Sequence, residues 1–170
     1  MSLSARKLAT VIWCLGEIGL ADGMSIDIDQ GEVTLTVGES LKKPFNVDVE
    51  GPGGCQPKVE IETGPEALTI THKKACSRSS LIRLKVNKSL KRIVVSVGTG
   101  ELHVVDFAKS QESFRQFDAT VRVGDIRRDP ALSSVSVSSN WLIGARAQRT
   151  QQMGDRSLTL AVFTGEISIR

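Results

Sequence analysis

The chain has 170 residues and a net charge of +3, from 22 basic and 19 acidic side chains. So balanced a charge carries no electrostatic footprint for nucleic acid, and no run reaches the roughly 18 apolar residues of a transmembrane span. Hydrophobic residues make up 40% of the chain, but aromatics only 4% and Tyr is absent. Any core is therefore built from Val, Ile and Leu, the β-branched and aliphatic residues that suit strands and stacked coils.

At the N-terminus, Arg6 and Lys7 precede an apolar stretch over residues 8–20, and Gly19-Leu20-Ala21 offers small residues two apart. That is the layout of a secretory signal peptide over residues 1–21, cut after Ala21, with Glu17 as a departure from it. The alternative is a capping helix, since Leu8, Val11, Leu15 and Ile18 fall on one helical face. The three cysteines are Cys14, Cys55 and Cys76. Removing the leader leaves an even pair, which in an exported chain reads as a disulfide.

Residues 22–80 form a β-rich N-terminal portion. Ile26 and Ile28 alternate with Asp27 and Asp29; Val33, Leu35 and Val37 alternate with Glu32, Thr34 and Thr36; Phe45, Val47 and Val49 alternate with Asn46, Asp48 and Glu50. This period of two marks half-buried strands, and Gly31, Gly38 and Gly51-Pro52-Gly53-Gly54 supply turn chemistry. The strands at 59–63 and 68–72 are split by Gly64-Pro65-Glu66, which predicts an antiparallel hairpin with Ile61 opposite Ile70. The same register sets Cys55 opposite Cys76, on the isoleucine face, and a disulfide between them is expected.

From residue 81 to 170 the texture changes. A strand–Gly–acid–aliphatic unit recurs: Gly100-Glu101-Leu102, Gly124-Asp125-Ile126 and Gly165-Glu166-Ile167. With Val135-Ser136-Val137 and Trp141-Leu142-Ile143 as a degenerate copy, the steps are about 22 residues, the spacing of stacked coils. The segment Phe163-Thr164-Gly165-Glu166-Ile167-Ser168-Ile169-Arg170 resembles the terminal coil of the bacterial putative-adhesin family, a domain of unknown function. Ala67-Leu68-Thr69-Ile70 followed by residues 93–105 is similar to that family's entry into its coils. Val86-Asn87-Lys88-Ser89-Leu90 departs from it. The resemblance implies an all-β fold leading into a single-stranded, β-helix-like solenoid, an exported periplasmic or cell-surface location, and no established chemistry.

Candidate chemistry is sparse. Gly98-Thr99-Gly100 lacks the helix that a phosphate loop needs after it. Asp27-Ile28-Asp29-Gln30-Gly31-Glu32 has a calcium-loop look, but the glycine and glutamate fall at the wrong positions. His103 precedes Asp106 by three, yet nothing in the sequence converges a Ser-His-Asp relay. Neither His72 nor His103 has a metal-ligand neighbour, and both read as exposed strand histidines. Lys85, Lys88, Lys91 and Arg92 form a patch that would attract an anionic lipid or glycan, or simply guard an edge. Trp13 and Trp141 are the only tryptophans, and Trp141 reads as a core filler or a sugar-stacking ring. Glu101, Asp125 and Glu166 are aligned by the repeat and expected to be solvated at turns. No catalytic residue, cofactor or metal is expected. The favoured function is a non-enzymatic exported structural or binding module meeting an envelope protein or a glycan. The rivals are an intracellular scaffold or oligomerisation domain, and a polysaccharide hydrolase, which needs grouped carboxylates in a groove.

Overall fold

The computed structural model describes residues 23–42, 45–50, 58–63, 67–73, 80–140 and 144–170. Cys14, Cys55, Cys76, Trp13, Trp141 and the leader at 1–21 lie outside the described residues. So does the side chain of His72, whose backbone is part of a strand.

Among the described residues ten strands form one open sheet. They are β1 (Gly23–Glu39), β2 (Phe45–Glu50), β3 (Lys58–Thr63), β4 (Ala67–Lys73), β5 (Ser80–Asn87), β6 (Arg92–Val105), β7 (Phe114–Arg128), β8 (Ser136–Asn140), β9 (Gly144–Thr150) and β10 (Arg156–Ile169). A short helix, α1 (Phe107–Ser110), and a 3-10 turn (Gln111–Ser113) join β6 to β7. The main order is β2-β5-β1-β6-β10-β7-β9-β8, and β3 pairs with β4, which pairs with β1. The all-β class agrees with the sequence. The β3–β4 hairpin has the expected register, with Ile61 opposite Ile70. Strand β5 starts at Ser80, so the sheet runs through the point where the texture changes, and β1 joins the two portions by pairing with β4, β5 and β6.

Four long strands, β1, β6, β10 and β7, stack in parallel. Their burial shows why the chain is glycine-punctuated. In β6, Ile93, Val95 and Val97 are buried, then Leu102 and Val104. A flat strand would put Val97 and Leu102 on opposite faces, yet all five belong to one core cluster. The strand therefore bends between them, and its neighbours bend alongside it. At the bend Gly31, Gly100, Gly165 and Gly124 stand in one row across the four strands. Gly100, Gly165 and Gly124 have φ of +146°, +142° and +139°. A Cβ on each would sit 1.7–1.8 Å from the carbonyl oxygen of the next glycine in the row. The row permits a close backbone approach that no side chain allows.

The strand order bears on two sequence expectations. In a solenoid each coil lies on the one before it, but here β10 stands between β6 and β7. The glycine units stack as expected while the single-stranded solenoid is not shown. The supposed degenerate copy does not join the parallel stack: β8 and β9 pair antiparallel, and β9 runs antiparallel along β7. Period-two alternation is blind to strand direction, so the sequence could not separate these cases.

Both halves of the bent sheet face one aliphatic core, closed by Phe107 of α1 against Phe114 and Phe117, with ring centroids 5.7 and 4.7 Å apart. Arg156 is buried in its wall. Its Nε donates to the Leu90 carbonyl at 2.8 Å and Nη1 to Ser113 Oγ at 3.1 Å, while the guanidinium lies over the Phe114 ring at 4.3 Å. Burial pushes its pKa down and the nearby Asp155 pulls it up.

Candidate functional site on the outer face of the sheet

Because equivalent positions of four strands stand side by side, each outward position becomes a row. Immediately past the glycines, Glu32, Glu101, Glu166 and Asp125 form a carboxylate row. Two residues further on, Thr34, His103, Ser168 and Arg127 form the next row. The two rows interlock. His103 Nδ1 is 2.6 Å from Ser168 Oγ, and Nε2 is 3.3 Å from Glu101 and 3.5 Å from Glu32. Arg127 lies 3.2 Å from Glu166.

The carboxylates that the repeat aligned do meet, but within strands past the bend rather than at turns. Glu101 and Asp125 are exposed, while Glu166 is partly covered and paired with Arg127. The sequence reading missed that Glu32 belongs to the same row. Gly31-Glu32-Val33 has the same glycine–acid–aliphatic form as the three later units, and that was the available signal. His103, expected as an exposed strand histidine, is half-buried and has three partners. Asp106 is not one of them: it sits in the left-handed region at φ 61° before α1 and pairs with Lys109 at 2.6 Å.

The structure thus brings together a Ser168–His103–Glu101 chain, a convergence the sequence did not indicate. A hydrolytic relay further requires an accessible nucleophile and oxyanion donors. Ser168 is only 7% exposed. Strand β10 is paired along both edges, with β6 and with β7, so its backbone N–H groups are engaged in the ladders. The chain of contacts links four strands sideways. Ion pairs as exposed as these add little stability individually.

The other sequence-derived candidates are dispersed. Lys85, on β5, is exposed, as are Lys88, Lys91 and Arg92 around the following turn. Asn87 orders that turn by accepting from Ser89 N at 2.9 Å. Gly98-Thr99-Gly100 lies inside β6, and Asp27 to Glu32 lie inside β1. Neither is a loop, so neither cradles an ion or a phosphate. Among the described residues no group of three or more His, Cys, Asp or Glu is placed to hold a metal ion. No helix among them is long and apolar enough to cross a membrane.

Before the bend, the outer face carries Asp118, held by Arg146 at 2.6 Å and by Gln148 at 3.2 Å. Burial raises the Asp118 pKa, but these hydrogen bonds and the Arg146 charge outweigh it and leave the carboxyl below its ordinary range. Nearer the bend, Phe163 points outward and is 53% exposed, with the Arg122 guanidinium 4.9 Å from its ring centroid. Phe163 opens the segment that resembles a terminal coil, and its sequence position alone assigns it no role. It falls in the polar slot of Leu158-Thr159-Leu160-Ala161-Val162-Phe163, which is where an outward ring is legible.

No family model matches the chain, and no curated protein matches it. Among solved structures, a putative cell adhesion protein from Clostridium sporogenes is similar to it at 11% identity and a TM-score of 0.45, over 88% of this chain and 92% of that one.

Proposed function

We propose that the chain is a non-enzymatic structural or binding module of the bacterial cell envelope, adhesin-like in kind and exported by its N-terminal segment. The observation that carries this reading is the in-register stack of four glycine–acid–aliphatic units. It turns single outward residues into rows, a surface suited to many modest contacts spread over an area. On this reading the four units are coils of a short β-solenoid, with β10 stacked out of chain order. The resemblance of residues 163–170 to the adhesin-type terminal coil and the leader-like pattern at 1–21 support the envelope location.

Fractionation of the native host with N-terminal sequencing tests the location. The expected result is a chain starting at Asp22 in an exported fraction, and an intact Met1 in the cytoplasm would overturn export. Ester and glycoside hydrolysis assays on the wild type and Ser168→Ala test the chemistry. Equal background rates are expected, and turnover lost in Ser168→Ala would make the protein a hydrolase.

A further inference from the structure

We propose that the outer face beside Phe163 is a saccharide subsite that holds one pyranose ring of a glycan. This rests on the binding-module reading and names its ligand class. The alternation of β10 buries Leu158, Leu160 and Val162 and turns Phe163 out. Among the described residues Phe163 is the one aromatic ring left exposed, and it offers a flat apolar face beside polar neighbours. Arg122, the β7 neighbour in the same row, covers one face of the ring at 4.9 Å and fixes its orientation.

On the other side of Phe163 the row continues to Gly98 of β6 and then Asp29 of β1, since Val162, Val97 and Ile28 are register partners immediately before them. Gly98 has no side chain, so a notch separates the ring from Asp29. The notch is fixed by the backbone: a Cβ at Gly98 would meet the Asp29 carbonyl at 2.5 Å. Two strand steps span about 9–10 Å. A flat six-membered ring packed at about 4 Å from Phe163 leaves a hydroxyl within hydrogen-bond reach, about 2.8 Å, of the Asp29 carboxylate. Gln30, Thr99 and Thr164 form the next row and add neutral donors and acceptors. An apolar plane opposite a carboxylate, with amide and hydroxyl groups at the rim, matches a polyhydroxylated ring with one C–H face. It opposes a phosphate, which Asp29 would repel.

Affinity electrophoresis of the full chain, through native gels containing a galactomannan, a β-glucan or no polysaccharide, tests the assignment. Wild type should be retarded by at least one of the two. Phe163→Ala should bind about 3- to 10-fold more weakly, the worth of a ring contact, and Asp29→Ala about 10-fold or more, the worth of a charged hydrogen bond. Phe163→Trp should bind at least as well as wild type. Both positions are exposed, and unchanged melting temperatures will confirm that the three variants fold. Retardation unaffected by Phe163→Ala, or absent with both glycans, overturns the subsite. Binding to the host's own envelope fraction, measured in parallel, separates the outcomes. If the chain sediments with that fraction and Phe163→Ala does so equally, the subsite is wrong while the envelope reading stands.

Discussion

Replacing Gly165 by Ala tests whether the glycine row creates the bend. Gly165 lies in the interior of the row, with φ +142° and an ideal Cβ 1.7 Å from the Gly100 carbonyl oxygen. Two costs follow. Holding a non-glycine residue at that φ takes about 1–3 kcal/mol. Relieving the overlap requires β6 and β10 to move apart, an overpacking cost of about 1–3 kcal/mol. The sum, about 2–6 kcal/mol, is a large share of the roughly 5–15 kcal/mol that holds a domain together. The blocking atom is backbone, so no rotamer change relieves it. Urea unfolding followed by far-UV circular dichroism gives the free energy, with Thr164→Ala, one residue earlier in the same strand, as the control. Thr164→Ala should change stability by no more than about 0.5 kcal/mol. A Gly165→Ala loss as small as that, with an unchanged denaturant slope, would refute the idea that the bend depends on the row.

Three other outcomes are expected. Arg156→Met removes two well-made bonds from a buried guanidinium and leaves the Leu90 carbonyl unmatched, so a loss of about 3 kcal/mol is expected in the same unfolding assay. Asp118 is held below the ordinary carboxylate range, so its folded pKa lies under its unfolded one, near about 4. Its stabilisation is present above that pH and is lost as pH falls through the folded pKa; Asp118→Asn should flatten the acid limb of stability against pH while leaving the neutral limb's slope alone. For Cys55 and Cys76, thiol counting on material oxidised after export should find no free thiol, and two reactive thiols would break the expected pairing.

Much of the fold is written in local pattern. The alternation at Ile26 and Ile28, and at Val33 and Leu35, locates strand β1. The Gly-Pro turn centres the β3–β4 hairpin well enough to pair Ile61 with Ile70. The units at Gly100, Gly124 and Gly165 announce a shared structural position, and the same form at Gly31 was there to be read. What pattern does not carry is partnership. His103 reaches Ser168 across 65 positions, and Glu32 meets His103 only because β1 and β6 are neighbours. A lone histidine in an alternating strand looks the same whether its neighbour is solvent or a carboxylate. Phe163 was legible by parity, but its pairing with Arg122 depends on β10 lying beside β7.

The order of the stack explains why such contacts escape a sequence reading. Every glycine–acid–aliphatic unit presents the same inward aliphatics, the same outward acid and the same bend, so each fits beside any other. Local pattern therefore leaves the order degenerate, and the connections decide it. After β7 the chain first makes β8 and then turns back: β9 runs antiparallel along residues 116–121 of β7 and occupies that edge, with β8 beyond it. When β10 returns, it takes the opposite edge of β7, which also faces β6. Insertion there pairs β10 on both sides, aligns Gly165 between Gly100 and Gly124, and brings Ser168 to His103 and Phe163 to Arg122 together. The polar ladder and the aromatic notch thus share one topological cause, the β8–β9 hairpin, which makes no contribution to either site in its own side chains.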